Sequence, residues 1–303
     1  MSGSVPALHL MTGQVCLLTG ANGGMGRVIA AELARRGAAV TVVCRTAATG
    51  QSVRSDIAAR TGADVEVLVA DLSRQSDIHA LAAEFRSRHE KLHVLVNNAG
   101  AHYRKRLVSG DGIEMHLAVD HLAGFLLTNL LLEPLRAGAP SRVVNIVSET
   151  ISDTRQIKIS RSPRPAPLDL ANLQSDRPFR PMVAYGQAKL ATVMCGYVLA
   201  DKLQGSGVTV NAVHPGIVDT GIVAAISPAV AKPFLGLVRR FLLTPQQGAQ
   251  AALHLATAPE LATVTGRYFV KQAEHRSPPI SYDPPLQQQI WQASSELVDQ
   301  SHR

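Results

Sequence analysis

Short β-branched apolar runs alternate with longer helix-like stretches along this chain, and that rhythm constrains its fold more than any other feature. "QVCLLTG" (14–20), "AAVTVVCR" (38–45), "VEVLVADL" (65–72), "LHVLVNNAG" (92–100), "SRVVNIVS" (141–148) and "GVTVNAVHPG" (207–216) read as strands. Helices are expected at Met25–Arg36, near 47–60, over about 76–89, as one long stretch near Gly112–Arg136, and near 183–204. The strands are almost unbroken apolar runs, as they are when both faces of a parallel sheet are covered. Strand–helix alternation with short links predicts an α/β fold, a Rossmann-type doubly wound parallel sheet. No linker divides the 303 residues, and 46% apolar content supplies one large core, so a single domain over 1–303 is expected, its core about 12–272.

Composition narrows the classes of function. Charged residues make up 17% of the chain, too few for a disordered or coiled-coil protein. Three cysteines, Cys16, Cys44 and Cys195, form no disulfide pattern, and no charged leader or run of about 18 apolar residues is evident, so a reducing, cytoplasmic setting is expected. A net charge of +7 weakly favours an acidic ligand or partner, whereas 4% aromatic content argues against base stacking, and no nucleic-acid motif is present.

The segment "TGANGGMG" (19–26) joins the first strand to the first helix. Gly20, Gly24 and Gly26 let the chain turn tightly, and the backbone around them, with Asn22 and Met25, faces any bound anion at the positive end of a helix. In this βαβ context the turn predicts a dinucleotide pyrophosphate; the alternative is a tight turn without a ligand. The second strand ends "VVCRT" with no acidic side chain, and Arg45 can grip a 2′-phosphate, so NADP(H) is preferred. Gly23 adds no side chain to that preference, and a solvated strand-end arginine is the alternative.

The glycine turn, Asp71 in "ADLS", "NNAG" (97–100), Ser148, the pair Tyr185 and Lys189 in "YGQAK", and "HPGIVDT" (214–220) occur in one order. Together they resemble the short-chain dehydrogenase/reductase family over about residues 12–272. The stretches "HLAVDHLAGFLLTNLLL", "GSGVTVNAVHPG" and "TPQQGAQAALHLA", with Trp291, are most similar to its retinol-dehydrogenase-type members. The resemblance implies that Gly20, Gly24 and Gly26 hold the pyrophosphate and that Asp71 and Leu72 face the adenine. It implies that Asn98, Ala99 and Gly100 line the ribose, that Pro215, Gly216, Ile217 and Thr220 orient the nicotinamide carboxamide, and that subunits pair through the fourth and fifth helices as a homodimer or homotetramer.

The side chains support redox chemistry. Tyr185 and Lys189 are four residues apart and share a helix face; an isolated pair of this kind is usually a surface pair. A neighbouring ammonium lowers the ionisation of a phenol, which otherwise lies near pH ~10. Tyr185 can then exchange the alcohol proton, Ser148 can hydrogen-bond the same oxygen, and Lys189 also holds the nicotinamide ribose. Asp120 joins this catalytic set but departs from the family, which has Asn there; the charged residue either preserves the proton relay, slows it, or marks non-redox biosynthetic chemistry such as a cyclisation or elimination. Ala123 and Gly124 stand where the subgroup has Gly and His.

Three segments bear on the substrate. "HYRKR" (102–106) and the long Pro- and Arg-rich loop 149–182, with Arg155, Lys158, Arg161, Arg164, Arg177 and Arg180, either recruit an acidic or carrier-bound substrate or carry solvated charge. The apolar segment 222–243, interrupted by Pro228, Lys232, Pro233, Arg239 and Arg240, reads as a lid over a bulky apolar alcohol or ketone; a membrane-surface helix is the minority reading. The tail from His275 is Pro-rich and ends in a short amphipathic stretch around Ile290 and Leu297. No metal is expected, because neither His89 with His93 nor His116 with His121 shares a helix face.

Overall fold

The computed structural model describes residues 10–151, 168–176, 178–219 and 242–299. The chain runs β1 (Val15–Thr19), α1 (Gly24–Arg35), β2 (Ala39–Cys44), α2 (Ala47–Thr61), β3 (Glu66–Val69), α3 (Gln75–Arg88) and β4 (Val94–Asn97). It continues through α4 (Met115–Leu117), α5 (Ala123–Leu130), α6 (Leu132–Ala137), β5 (Ser141–Ile146), α7 (Pro181–Lys202) and β6 (Val208–His214). The last part is α8 (Pro245–Thr257), β7 (Arg267–Val270), β8 (Ala273–His275) and α9 (Pro284–Asp299).

The eight strands form one sheet in the order β3-β2-β1-β4-β5-β6-β7-β8, parallel except for β8. The order reverses between β1 and β4, and that reversal opens a crevice at their carboxyl ends. The pleat divides the core. Leu17 points to the face covered by α3, α5 and α7, with Leu81, Phe85, Leu127 and Met194. Cys16 and Leu18 point to the other face, where Ile29, Leu33, Val53 and Ile57 of α1 and α2 pack with Leu253 of α8. Each such aliphatic side chain removed from water contributes about 1.5–3 kcal/mol, so the sheet is stabilised from both sides. The sequence reading therefore holds for β1 to β6 and the helices between them, apart from one.

The long helix expected over Gly112–Arg136 is broken into pieces. Gly112 lies at φ +76° in a turn, and the Glu114 carboxylate caps the next helix by accepting the Leu117 N–H at 2.9 Å. A π-helical turn, Ala118–Leu122, follows α4. Pro134 then breaks the ladder after α5, because it lacks an N–H for the preceding turn. The end of the chain holds a longer helix than the short amphipathic stretch expected there. The α9 helix has 16 residues and packs along α7, with Ile290 and Ser294 fully buried and the Trp291 ring 4.9 Å from Phe125. The chain's own tail thus covers part of the two helices through which the resemblance implies subunit pairing. Among the described residues no helix is long and apolar enough to cross a membrane.

Candidate active site

β1 delivers the chain to Gly20 at the crevice. Gly20 sits at φ +72°, and a Cβ there would lie 2.7 Å from Ala99 Cα. A Cβ on Gly26 would be driven into the Gly20 carbonyl oxygen, and one on Gly24 would stand 3.0 Å from Pro245 Cγ. Gly20 and Gly26 therefore admit no side chain, and one at Gly24 would press on Pro245. Helix α1 starts with no side-chain cap at Gly23 and no acid in its first turn, so no local side chain competes for its leading N–H groups. Asn22 is exposed, whereas Met25 is buried beneath α8, leaving its backbone to face the turn.

Asn98 ties this turn to β4. Its side-chain amide donates to the carbonyls of Thr19 at 2.9 Å and Gly20 at 3.0 Å. The Thr19 hydroxyl accepts the N–H groups of Asn98 and Ala99, each at 3.1 Å; sequence reading missed this residue. Arg45 is exposed just past β2, and its charge reaches Asp71. Burial raises the Asp71 carboxyl, but hydrogen bonds from the Ser73 N–H and hydroxyl, then Arg45, hold it below its ordinary value. Leu72 is half-buried beside it. Beyond β6, Pro215 is buried, Gly216 adopts φ +93°, and Ile217 is exposed. Leu243 returns to this motif: its N–H donates to the Ile217 carbonyl and its carbonyl accepts the Asp219 N–H, both at 2.9 Å. The segment between Asp219 and residue 242 thus has both ends beside the 215–217 stretch, but Thr220 and nearly all of the expected lid lie outside the described residues.

Ser148, Tyr185, Lys189 and Asp120 are brought together from the end of β5, from α7 and from the π-helical turn. Tyr185 is 6% exposed and Lys189 4%, which excludes a surface pair. Ser148 favours ionisation of the Tyr185 phenol, and its hydroxyl accepts the Thr150 N–H at 3.3 Å. The Lys189 amine donates to the Ile146 carbonyl at 3.2 Å, lies 3.8 Å from Asp120 Oδ1, and stands 6.0 Å from the Tyr185 ring centre. Asp120 Oδ1 also accepts the Ala101 N–H at 2.8 Å. Gly100 makes room for this group, since a Cβ on it would fall 2.9 Å from Asp120 Oδ1 and 3.4 Å from Lys189 Nζ. The "NNAG" segment consequently links the halves of the site, with Ala99 against Gly20 and Gly100 against Lys189.

The electrostatics differ from the sequence expectation. Burial, then the Asp120 charge, push the Tyr185 phenol above its ordinary value, against the opposing influence of Ser148. Burial lowers the Lys189 ammonium while Asp120 supports it. Burial pushes the Asp120 carboxyl up to about 6, against Lys189 and the Ala101 N–H. The expected acidification of Tyr185 by Lys189 is thus not supplied by the chain alone, because the amine faces a carboxylate.

His102 is a neighbour that sequence reading treated only as part of a basic stretch. Its ring meets Tyr185 edge-on at 5.8 Å, and its Nδ1 is buried without a hydrogen-bond partner. Burial, then His116 and Arg104, lower its ionisation to about 4. The signal available was its place two residues beyond "NNAG". Arg106 of the same stretch binds Asp176 at 2.5 Å and the Gln174 carbonyl at 3.3 Å, so it is tied to the neighbouring segment. Arg180 stands just before α7; Arg155, Lys158, Arg161, Arg164 and Arg177 lie outside the described residues. The histidines considered as ligands have other partners: His89 binds Glu66, His93 accepts the Val15 N–H, His116 pairs with Glu114, and His121 meets Ser294.

A family model described as "short chain dehydrogenase" matches residues 14–157, and one described as "Enoyl-(Acyl carrier protein) reductase" matches residues 165–271. Retinol dehydrogenase 14 of Mus musculus is 35% identical, covering 95% of this chain and 87% of its own length. Retinol dehydrogenase 11 of Homo sapiens is 39% identical, covering 88% of this chain and 80% of its own length. Among solved structures, an uncharacterized protein from Mycobacterium Paratuberculosis aligns with a TM-score of 0.74 at 25% identity, covering 96% of each chain. The Pseudomonas aeruginosa RhlG/NADP complex aligns with a TM-score of 0.67 at 26% identity, covering 88% of this chain and 97% of that one. With the sheet order, the glycine cradle and the Ser–Tyr–Lys cluster in place, the chain belongs to the short-chain dehydrogenase/reductase family and is retinol-dehydrogenase-like.

Proposed function

We propose that this chain is an NADP(H)-dependent oxidoreductase that interconverts an alcohol and a ketone or aldehyde on a bulky, largely apolar substrate. One observation carries the reading: Tyr185 and Lys189, both buried on α7, stand with half-buried Ser148 on the sheet edge where the glycine cradle opens. The backbone of Gly20, Asn22, Gly24, Met25 and Gly26 would hold the pyrophosphate, and Arg45 the 2′-phosphate. Asp71 and Leu72 would face the adenine, Asn98, Ala99, Gly100 and Lys189 the riboses, and Pro215, Gly216, Ile217 and Thr220 the carboxamide. When bound, the nicotinamide supplies or accepts the hydride. Tyr185 gives its phenolic proton to the carbonyl oxygen in reduction and takes it back in oxidation, while Ser148 hydrogen-bonds that oxygen. The NADP bound in the RhlG complex supports the nucleotide choice, and the retinol dehydrogenases support an apolar alcohol. The sequence between Ser148 and α7 is longer than the resemblance leads one to expect, so retinoid itself is not carried over. A cytoplasmic location fits three free, buried cysteines. A homodimer or homotetramer would have to form around α9.

Reduced-nicotinamide absorbance, followed with NADPH and NADH against bulky ketones and aldehydes, tests the reading. NADPH should be preferred, and Arg45→Ala should remove the preference. Tyr185→Phe should lower kcat about 10²–10⁴-fold. A second reading, non-redox cyclisation or elimination on this fold, is favoured by the Asp120 carboxylate facing Lys189. It gains if NADPH binds and no carbonyl is turned over.

A further inference from the structure

Asp120 occupies the place where the family resemblance leads one to expect Asn, and its surroundings give the extra charge a task. We propose that Asp120 acts through Lys189 as a positioning residue, cancelling the ammonium's field at Tyr185, so that the phenol stays protonated and the enzyme runs as a carbonyl reductase in the neutral range. This rests on the redox reading above.

The geometry is one-sided. Asp120 Oδ1 is fixed by the Ala101 N–H at 2.8 Å and faces Lys189 Nζ at 3.8 Å. The carboxylate side chain is fully buried, and its second oxygen, Oδ2, has no hydrogen-bond partner. An asparagine could accept the same Ala101 N–H through its carbonyl oxygen, but it would leave the ammonium uncompensated 6.0 Å from the phenol ring centre. Away from water, a charge at that range acts far more strongly than in solvent.

The other titratable groups around Asp120 have partners or hold no charge. From the same stretch, Glu114 accepts the Leu117 N–H at 2.9 Å and pairs with His116 Nδ1 at 2.8 Å. His116 Nε2 accepts the Tyr103 N–H at 3.0 Å, so its proton sits on Nδ1 toward Glu114. His121 is held neutral, its ionisation lowered to about 3 by burial and then by Lys189. From the segment after β4, His102 is lowered to about 4, and burial and then Asp120 raise Tyr103. From α7 come Lys189 and Tyr185 themselves.

Asp120 also borders space for a water. With Asn97, Asn145, Thr192 and Gly124 it lines a cavity of about 20 Å³, where about one water fits. Asn97 Oδ1 is a second buried acceptor without a partner in this lining. Gly124, which replaces the subgroup's His, leaves that space clear. The sign follows. Below about 6 a protonated Asp120 is neutral, as Asn would be; above it, the carboxylate forms and opposes ionisation of Tyr185. A proton donor is thereby preserved where an Asn enzyme begins to supply a base.

The test compares wild type with Asp120→Asn and, in case that variant fails to fold, Asp120→Ser. For each, the pH profile of NADP⁺-dependent alcohol oxidation and NADPH-dependent reduction is measured. In either variant the basic limb of oxidation should move to lower pH by roughly one unit, raising the oxidation-to-reduction ratio at neutral pH. A purely structural role would change amplitude and leave the limb in place. A second readout needs no turnover: ultraviolet titration of phenolate in the NADP⁺-bound protein, with Tyr185→Phe in each background as the blank. The Tyr185 component should ionise at lower pH in Asp120→Asn than in wild type. An unmoved or upward-moved limb and phenolate step in a folded variant would overturn the proposal. Absence of redox turnover in wild type with a shifted phenolate step would instead refute the redox reading and keep the charge cancellation.

Discussion

At Gly26 a single added carbon decides whether the turn can close, because it would enter the Gly20 carbonyl oxygen. Gly26→Ala should cost about 1–3 kcal/mol through overpacking and should weaken NADPH binding severely. Gly110, where a Cβ meets nothing within 4 Å, is the matched control, and Gly110→Ala should be neutral. Melting temperature and a nucleotide-binding isotherm check both. Residues of this kind were legible beforehand, since their spacing and strand-to-helix context are local. Tyr185 and Lys189 were legible for the same reason, from their order along the chain. His102 was not, because its meaning depends on Tyr185, 83 positions later in the sequence.

The π-helical turn and α9 show the limit at the scale of elements. Buried positions in α9 are Ile290, Ser294 and Val298, one narrow stripe with a serine at its centre. That stripe is a weak hydrophobic period, so the helix read as a short tail. The serine makes sense only opposite His121, whose Nε2 lies 2.8 Å from Ser294 Oγ while its Nδ1 lies 3.2 Å from Thr192 Oγ1. The Thr192 hydroxyl also donates to the Asp120 carbonyl at 3.2 Å, which connects the tail to the turn that carries Asp120. Ile290→Ala should destabilise by about 2–5 kcal/mol, and Ser294→Ala by about 1–3 kcal/mol through the unsatisfied imidazole. Gln292→Ala, on the exposed face, should change nothing measurable. Chemical denaturation midpoints read all three.

Over the whole molecule, buried neutral histidines set the response to acid. Burial lowers His121 to about 3, and His102 and His214 to about 4. An unfolded chain protonates these rings near 6.5, where the folded protein does not, so unfolding takes up protons and stability falls as pH drops below 6.5. Near pH 5 these groups together should contribute about three protons to the uptake, read from the slope of unfolding free energy against pH. Glu66 adds a second, lower window. Against burial, its bonds to His89, Thr41 and Arg88 hold it down to about 2, so its stabilisation is present above 4.5 and is lost as pH falls toward 2. A flat stability profile between pH 7 and 5 would contradict the assignment of neutral buried imidazoles.

By itself the sequence determined the parallel sheet, the glycine cradle, and the ordered set ending in Ser148, Tyr185 and Lys189. Those features depend on local periodicity and on residue types whose backbone or chemistry leaves few alternatives. Tertiary structure alone decided that Lys189 faces Asp120, that the long fourth helix breaks into a π-helical turn, and that the tail keys a serine onto a buried histidine. Each of these is a pairing between residues distant in the chain, and its energy exists only once burial removes water from between the partners.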